Sequence, residues 1–191
     1  MPVATASDRQ DIELIRRIAD GDRAAFQVLF ARHNLALYRY LVRMLRNTAI
    51  AEEHVNETFI EIWRVAGKFE NRSRVSSWII GIGRNKALST MRKRSDMPLD
   101  EGFAKQVEDG ADTPETTAMK GDKAGAIKAC LLKLSAEHRE VVDLVYYHEM
   151  SIREVSDVTG VPENTVKTRM FHARKQLSEL LKSAGIDRGW P

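Results

Sequence analysis

Cysteine is almost missing from this chain of 191 residues, with Cys130 standing alone. That excludes an intramolecular disulfide and leaves any metal site to histidines and carboxylates. The five histidines, at 33, 54, 138, 148 and 172, show no HExxH spacing, so neither metal nor cofactor is expected. No apolar run approaches the roughly 20 residues that cross a bilayer, and Met1 to Gln10 lacks the apolar core of a signal peptide. The expectation is a chain without membrane insertion, kept in a reducing cytoplasm. Catalytic signatures are missing too. There is no Gly-x-Ser-x-Gly elbow. Gly81-Ile-Gly83-Arg-Asn-Lys86 lacks the third glycine of a nucleotide loop and lies in a helical pattern with no strand before it, so no catalytic residue is expected. Proline is scarce, at 2, 98, 114, 162 and 191 only, which leaves long stretches free of the strongest helix breaker.

What is present divides by charge. Residues 1–94 carry 17 Lys+Arg against 10 Asp+Glu, residues 95–118 carry seven acids against Lys105 alone, and residues 119–191 carry 12 bases against 10 acids. Basic blocks flanking an acidic one suggest nucleic-acid contact by the blocks and a different task for the middle. Pro98, Gly102, Gly110 and Pro114 all fall in the acidic stretch, whose composition is that of a linker.

Both flanks read as helix. From Asp22, apolar positions such as Ala25, Leu29, Leu37, Leu41 and Met44 recur at steps of three and four, the mark of an amphipathic helix. A second helix follows Asn47 and Thr48, with His54, Val55, Phe59, Ile62 and Trp63 on its stripe and Gly67 as its stop. A third starts near Ser73 and runs through Trp78, Ile79, Leu88 and Met91 to Arg94. Beyond the linker, Cys130 and Leu134 lie on one stripe, and Val141, Val142 and Leu144 on another after the cap candidate Ser135. Ser151-Ile-Arg-Glu154 fits a capping box, Gly160 a break, and Pro162 a first-turn proline opening a helix that buries Val166, Met170, Ala173, Leu177 and Leu180. The expected fold is all-α: two small helical domains, 1–94 and 119–191, joined by a flexible acidic linker at 95–118.

Short helix, turn at Gly160-Val161 and second helix have the spacing of a helix-turn-helix. Base edges differ only in donor, acceptor and methyl pattern, so a reading helix needs side chains of different chemistry near its N-terminal half. Asn164, Thr165, Lys167, Thr168 and His172 supply that variety, with Phe171 on the same expected exposed face, while Arg169 and Arg174 have the reach for phosphates. A solvated amphipathic helix in an ordinary bundle fits the same pattern. In the first block, Lys68, Phe69, Asn71, Arg72, Ser73 and Arg74, followed by Trp78, Arg84, Asn85 and Lys86, interleave cations with rings and amides. That mixture suits single-stranded nucleic acid; it suits equally well a core Phe69 and Trp78 with bases that merely solubilise.

Taken together, the blocks resemble the sigma factors of bacterial RNA polymerase, specifically the small extracytoplasmic-function group that keeps only the second and fourth domains. The resemblance rests on Gly21-Asp22-x-x-Ala25-Phe26, on Ala51-Glu-Glu-His-Val-Asn-Glu-Thr-Phe-Ile-Glu-Ile-Trp63-Arg64 and on Ser77-Trp-Ile-Ile-Gly-Ile-Gly-Arg-Asn-Lys-Ala-Leu88. In the second block it rests on Leu134-Ser-Ala-Glu-His-Arg-Glu-Val-Val142, Met150-Ser-Ile-Arg-Glu-Val155 and Val161-Pro-Glu-Asn-Thr-Val-Lys-Thr-Arg169 with Ala173-Arg174. Part of the last signature is shared with other helix-turn-helix activators. A stand-alone transcriptional regulator with an N-terminal interaction domain is therefore the alternative.

The resemblance implies that the chain binds core polymerase, directs it to promoters and helps melt the minus-ten region. It assigns Asn56, Glu57, Phe59, Ile60, Trp63 and Arg64 to docking on the polymerase. The loop Lys68 to Arg74, with Trp78, Arg84, Asn85 and Lys86, falls to capture of the minus-ten non-template strand. Asn164, Thr165, Lys167, Thr168, Arg169, Phe171, His172 and Arg174 fall to the minus-thirty-five duplex. It also implies an anti-sigma partner, and a cytoplasmic protein found on the nucleoid in holoenzyme or held at the membrane through that partner. His54 and Asn56 depart from the family pattern in the docking motif, which touches its polar detail and not its apolar surface.

Overall fold

The computed structural model describes residues 6–95 and 117–186, with side chains placed at 6–93 and 125–186. The chain divides into two compact units, Met1–Glu108 and Asp109–Pro191. Among the described residues there are helices and no strands, as the lack of any period-two pattern leads one to expect. Most of the stretch expected to be a linker lies outside the described residues; at its edges Ser95 still belongs to a helix and Thr117 already begins one.

The first unit contains α1 (Ala6–Ala19), α2 (Arg23–Leu45), α3 (Thr48–Val65), a 3-10 turn (Ala66–Lys68) and α4 (Val75–Ser95). Local chemistry sets each boundary. Gly21 takes φ 87°, a left-handed turn that suits glycine, and Asp22 then caps α2, accepting from the amides of Ala24 at 2.8 Å and Ala25 at 3.0 Å. The same carboxylate takes Arg17 at 2.6 Å; the Ala25 amide and Arg17 hold its pKa below the ordinary 3.8. Asn47 caps α3 by accepting from the Ile50 amide at 3.0 Å. Caps of this kind contribute about 1 kcal/mol each.

Helix α2 lies at the centre, packed on α1, α3 and α4, and its Leu29, Leu37, Tyr40 and Leu41 are fully buried. Opposite them sit Phe59 and Ile62 of α3 and Ile79 of α4, equally buried. Gly83 of α4 faces α2 closely: a Cβ there would stand 2.7 Å from Leu37 Cδ1, so a larger residue would force the buried Leu37 side chain to shift. Polar groups are buried among these apolar ones. Asp11 of α1 receives His33 Nε2 of α2 at 2.8 Å and the Arg32 guanidinium. Burial pushes the Asp11 carboxyl up, but hydrogen bonds and charge from His33 and Arg32 outweigh it and hold the pKa below 3.8.

Two boundary expectations shift. The α-helix α3 ends at Val65, and Gly67 falls inside the following 3-10 turn; α4, expected from near Ser73, starts at Val75. Met91, which the third helix is expected to run through, lies on α4 and is exposed. Helix α1, not delineated from periodicity, begins at Ala6 and buries Leu14, Ile15 and Ile18.

The second unit contains α5 (Thr117–Leu132), α6 (Ala136–Tyr146), α7 (Ile152–Thr159) and α8 (Glu163–Ser183). Ser135 caps α6, accepting from the His138 amide at 3.3 Å. The capping box at α7 is complete: the Ser151 amide donates to Glu154 Oε2 at 3.0 Å and the Glu154 amide to Ser151 Oγ at 3.3 Å. Gly160 ends α7 at φ 73°. Pro162 is the residue that flanks α8 and not its first helical one; lacking an N–H, it forfeits no helical bond there. Helix α8 closes the unit by burying Val166, Met170, Ala173, Leu177 and Leu181, the last in place of the expected Leu180. Cys130 packs with Leu177 and Leu181 as a small buried apolar residue.

Candidate nucleic-acid interface

On α3 the helical period sorts the expected docking residues into two faces. Asn56 and Arg64 are exposed and Glu57 is partly so, with Ile60 at 61% and Trp63 at 36% exposure. Phe59 is on the opposite face at 1%. Its ring meets Phe30 at 4.8 Å and Phe26 at 6.1 Å, both edge-on, so it is a core residue, and its assignment to a contact surface is corrected. Trp63 is anchored rather than buried: its ring meets Phe26 at 5.3 Å edge-on while part of it faces solvent. Ile60 and Trp63 thus leave apolar area open to solvent on one face of α3.

The segment from the 3-10 turn to α4 presents Lys68, Glu70, Asn71 and Arg72 to solvent. Asn71 holds φ 55°, a conformation asparagine tolerates better than most side chains, and Arg72 pairs with Glu70 at 2.5 Å. Phe69 and Trp78 pack on each other at 4.9 Å and 49° and are each half-buried. Neither ring is core and neither stands free. Ser73 and Arg74 are half-buried at the start of α4, where the Arg74 carbonyl accepts from the Trp78 amide at 3.0 Å. On α4, Asn85 is exposed and Arg84 and Lys86 are half-buried. Lys86 Nζ lies 3.8 Å from Glu57 Oε2, and this ion pair joins the two residue sets of the unit.

In the second unit, Ser156 Oγ donates to the Val161 carbonyl at 2.6 Å, tightening the turn between α7 and α8. Asn164, Lys167, Thr168, Phe171, His172 and Arg174 are exposed on α8, with Phe171 at 65%; Thr165 and Arg169 are half-buried. The Thr168 hydroxyl donates to the Asn164 carbonyl at 2.9 Å, which leaves its oxygen as an acceptor. Arg174 lies over the Tyr146 ring at 5.7 Å, a cation–π contact from α8 to α6. His172 stacks on His138 of α6 at 6.3 Å and 30°. Neither contact is legible in the sequence, because the partners are more than 20 residues apart with no repeating pattern to pair them.

Two family models match in the order of the two units: Sigma-70 region 2 over residues 29–96 and Sigma-70, region 4 over residues 124–177. The ECF RNA polymerase sigma factor SigM of Mycobacterium tuberculosis is 32% identical over 174 residues, which cover 91% of this chain and 86% of SigM. The chain belongs to the extracytoplasmic-function sigma factors. As such it is an alternative sigma factor, a transcription initiation factor that directs RNA polymerase to promoters. SigW of Bacillus subtilis, likewise named an ECF RNA polymerase sigma factor, is 29% identical over 178 residues, 88% of this chain and 95% of SigW. Among solved structures, the sigma factor RpoE in complex with the anti-sigma factor NepR from Bartonella quintana aligns with TM-score 0.67 and 29% identity, covering 85% of this sigma factor and 98% of that chain. CnrH in complex with the cytosolic domain of CnrY aligns with TM-score 0.66 and 25% identity, over 91% and 98% of the two chains. Among the described residues of this sigma factor, no helix is long and apolar enough to cross a membrane.

Proposed function

We propose that this sigma factor docks on core polymerase through the exposed face of α3, formed by Asn56, Glu57, Ile60, Trp63 and Arg64, with Phe59 buried behind that face and Trp63 seated on Phe26. The observation that carries this is the pair Ile60 and Trp63, apolar and open to solvent on a helix whose Val55, Phe59 and Ile62 are buried. Residues 1–94 then form the polymerase and minus-ten domain. Lys68 to Arg74, with Trp78 and Asn85, receive the melted non-template strand, and Arg84 and Lys86 follow its phosphates. Residues 119–191 form the minus-thirty-five domain, in which Asn164, Lys167, Thr168, Phe171 and His172 face base edges and Arg169 and Arg174 face phosphates. The acidic residues 95–118 link them, their charge keeping them off DNA.

This chain performs no catalysis; bond formation belongs to the polymerase. It works in the cytoplasm, and an anti-sigma protein is its resting partner, a reading supported by the likeness to RpoE in complex with the anti-sigma factor NepR. The test is equilibrium binding of the fluorescently labelled chain to bacterial core RNA polymerase by anisotropy. Saturable binding that weakens at least tenfold in Ile60→Ala and Trp63→Ala, about 1.4 kcal/mol or more, supports the assignment. Binding that both variants leave unchanged would remove α3 as the docking surface.

A further inference from the structure

Between α3 and the C-terminal half of α4 runs an open polar groove of about 450 Å³, lined by Glu53, His54 and Glu57 on one helix and Lys86, Thr90 and Lys93 on the other. At its centre a buried imidazole joins the helices. The His54 side chain is 7% exposed, its Nδ1 lies 3.1 Å from Glu57 Oε2, and its Nε2 lies 2.9 Å from Thr90 Oγ1. A carboxylate offers only acceptors, so Nδ1 carries a proton and donates to Glu57, while Nε2 and the Thr90 hydroxyl form the bond that crosses to α4. Lys86 approaches the same Glu57 oxygen at 3.8 Å, which ties the carboxylate to α4 a second time.

We infer that His54 is a positioning residue for promoter opening. It locks α3, which docks on polymerase, to α4, which brings Asn85 and Lys86 to the minus-ten strand. The inference rests on the assignment of those two helices under Proposed function. Capturing an unpaired strand works against base stacking and pairing, and a surface loose relative to its docked neighbour loses part of the interaction in becoming ordered. An apolar residue at 54 would fill the same space while leaving Thr90 without its bond and Glu57 with one anchor fewer. The polar bridge therefore supplies registration between the helices, which packing alone leaves adjustable.

The test uses the full chain reconstituted with bacterial core polymerase, and a promoter fragment selected by that wild-type holoenzyme from random-sequence duplex. His54→Leu keeps the bulk and removes both bonds; Thr90→Val removes only the hydroxyl. For each, affinity for core polymerase is compared with opening of the duplex promoter, read as permanganate reactivity of minus-ten thymines, and with binding to the same promoter pre-melted at the minus-ten region. Expected are core affinity within about threefold of wild type and duplex opening lowered about tenfold, the scale of one lost hydrogen bond. The double variant should be no worse than His54→Leu, the pre-melted promoter should restore binding, and His54→Gln, which keeps a donor and an acceptor, should recover part of the opening. Unchanged duplex opening overturns the inference. So does a parallel loss of core affinity and opening that pre-melting fails to rescue, since that is what a misfolded unit would give. Failure of the wild-type chain itself to bind core polymerase would overturn the docking assignment, and this inference with it.

Discussion

In the unit built from α5 to α8, the residues proposed to meet DNA come from one helix, Asn164 to Arg174, whereas in α1 to α4 they come from the 3-10 turn, the loop to Arg74 and α4, beside the α3 face proposed to meet polymerase. The unit with the one-helix surface is held at its boundaries by local devices: Ser135, the Ser151-Glu154 capping box and Gly160. The unit with the composite surface is held by contacts far apart in sequence, among them Asp11 with Arg32 and His33, His54 with Thr90, and Gly83 against Leu37. A surface confined to one helix needs only that helix set at the right angle. A surface drawn from several elements needs their mutual register, and buried polar bonds specify register where apolar contact tolerates sliding.

The largest expected effect breaks the composite unit from beneath its surface. Phe59→Ala removes a core ring and should lower the stability of that unit by about 3–5 kcal/mol. Urea unfolding followed by tryptophan fluorescence would report it, and polymerase affinity would be lost with the fold. Equal loss of affinity at unchanged stability would return Phe59 to the contact surface.

Next comes Asp11→Ala, expected to cost about 3 kcal/mol, the lower end for a broken buried ion pair, because Arg32 is one-third exposed and can return to water. The pH dependence carries a definite sign. The folded carboxyl is held below 3.8, so between the two pKa values the unfolded chain binds more protons than the folded one. The stabilisation is whole above the unfolded value and is lost as pH falls through the folded one. In acid titration of thermal stability, wild type should therefore lose more than Asp11→Asn below about pH 4.

The one-helix surface should behave differently. Lys167→Ala should leave stability within about 0.5 kcal/mol while removing about 1–3 kcal/mol of discrimination at one base pair of the minus-thirty-five element. Holoenzyme binding to that element and to a scrambled one measures it; equal loss on both would reduce Lys167 to a phosphate contact. The smallest effect sharpens the contrast in folding: Ser151→Ala should cost about 1 kcal/mol and lower the melting of the second unit alone. A matching drop in the first unit would show that the two are coupled.

The helix-turn-helix was legible because every signal for it is local. Capping box, glycine stop and apolar period occupy adjacent positions, so the exposed set on α8 follows from a step of three and four. The α3 surface was legible except for Phe59, since periodicity places residues on faces but does not say which neighbouring face will cover them. His54 shows that limit most clearly: in sequence it is one position on an apolar stripe, and in the fold it is a polar bridge. Phe69 and Trp78 fit both of their expected roles in part, each ring shielding one side of the other.

By itself the sequence determined the helical class, most helix starts and stops, the two basic blocks and the family signatures, because these depend on dihedral preference, capping and charge within a few residues. The tertiary structure decided that Phe59 is core while Ile60 and Trp63 are surface, that Gly83 seats Leu37, that His138 backs His172 and that His54 reaches Thr90. Burial and hydrogen-bond partnership belong to pairs of residues far apart in the chain, and only packing brings those pairs within reach of each other.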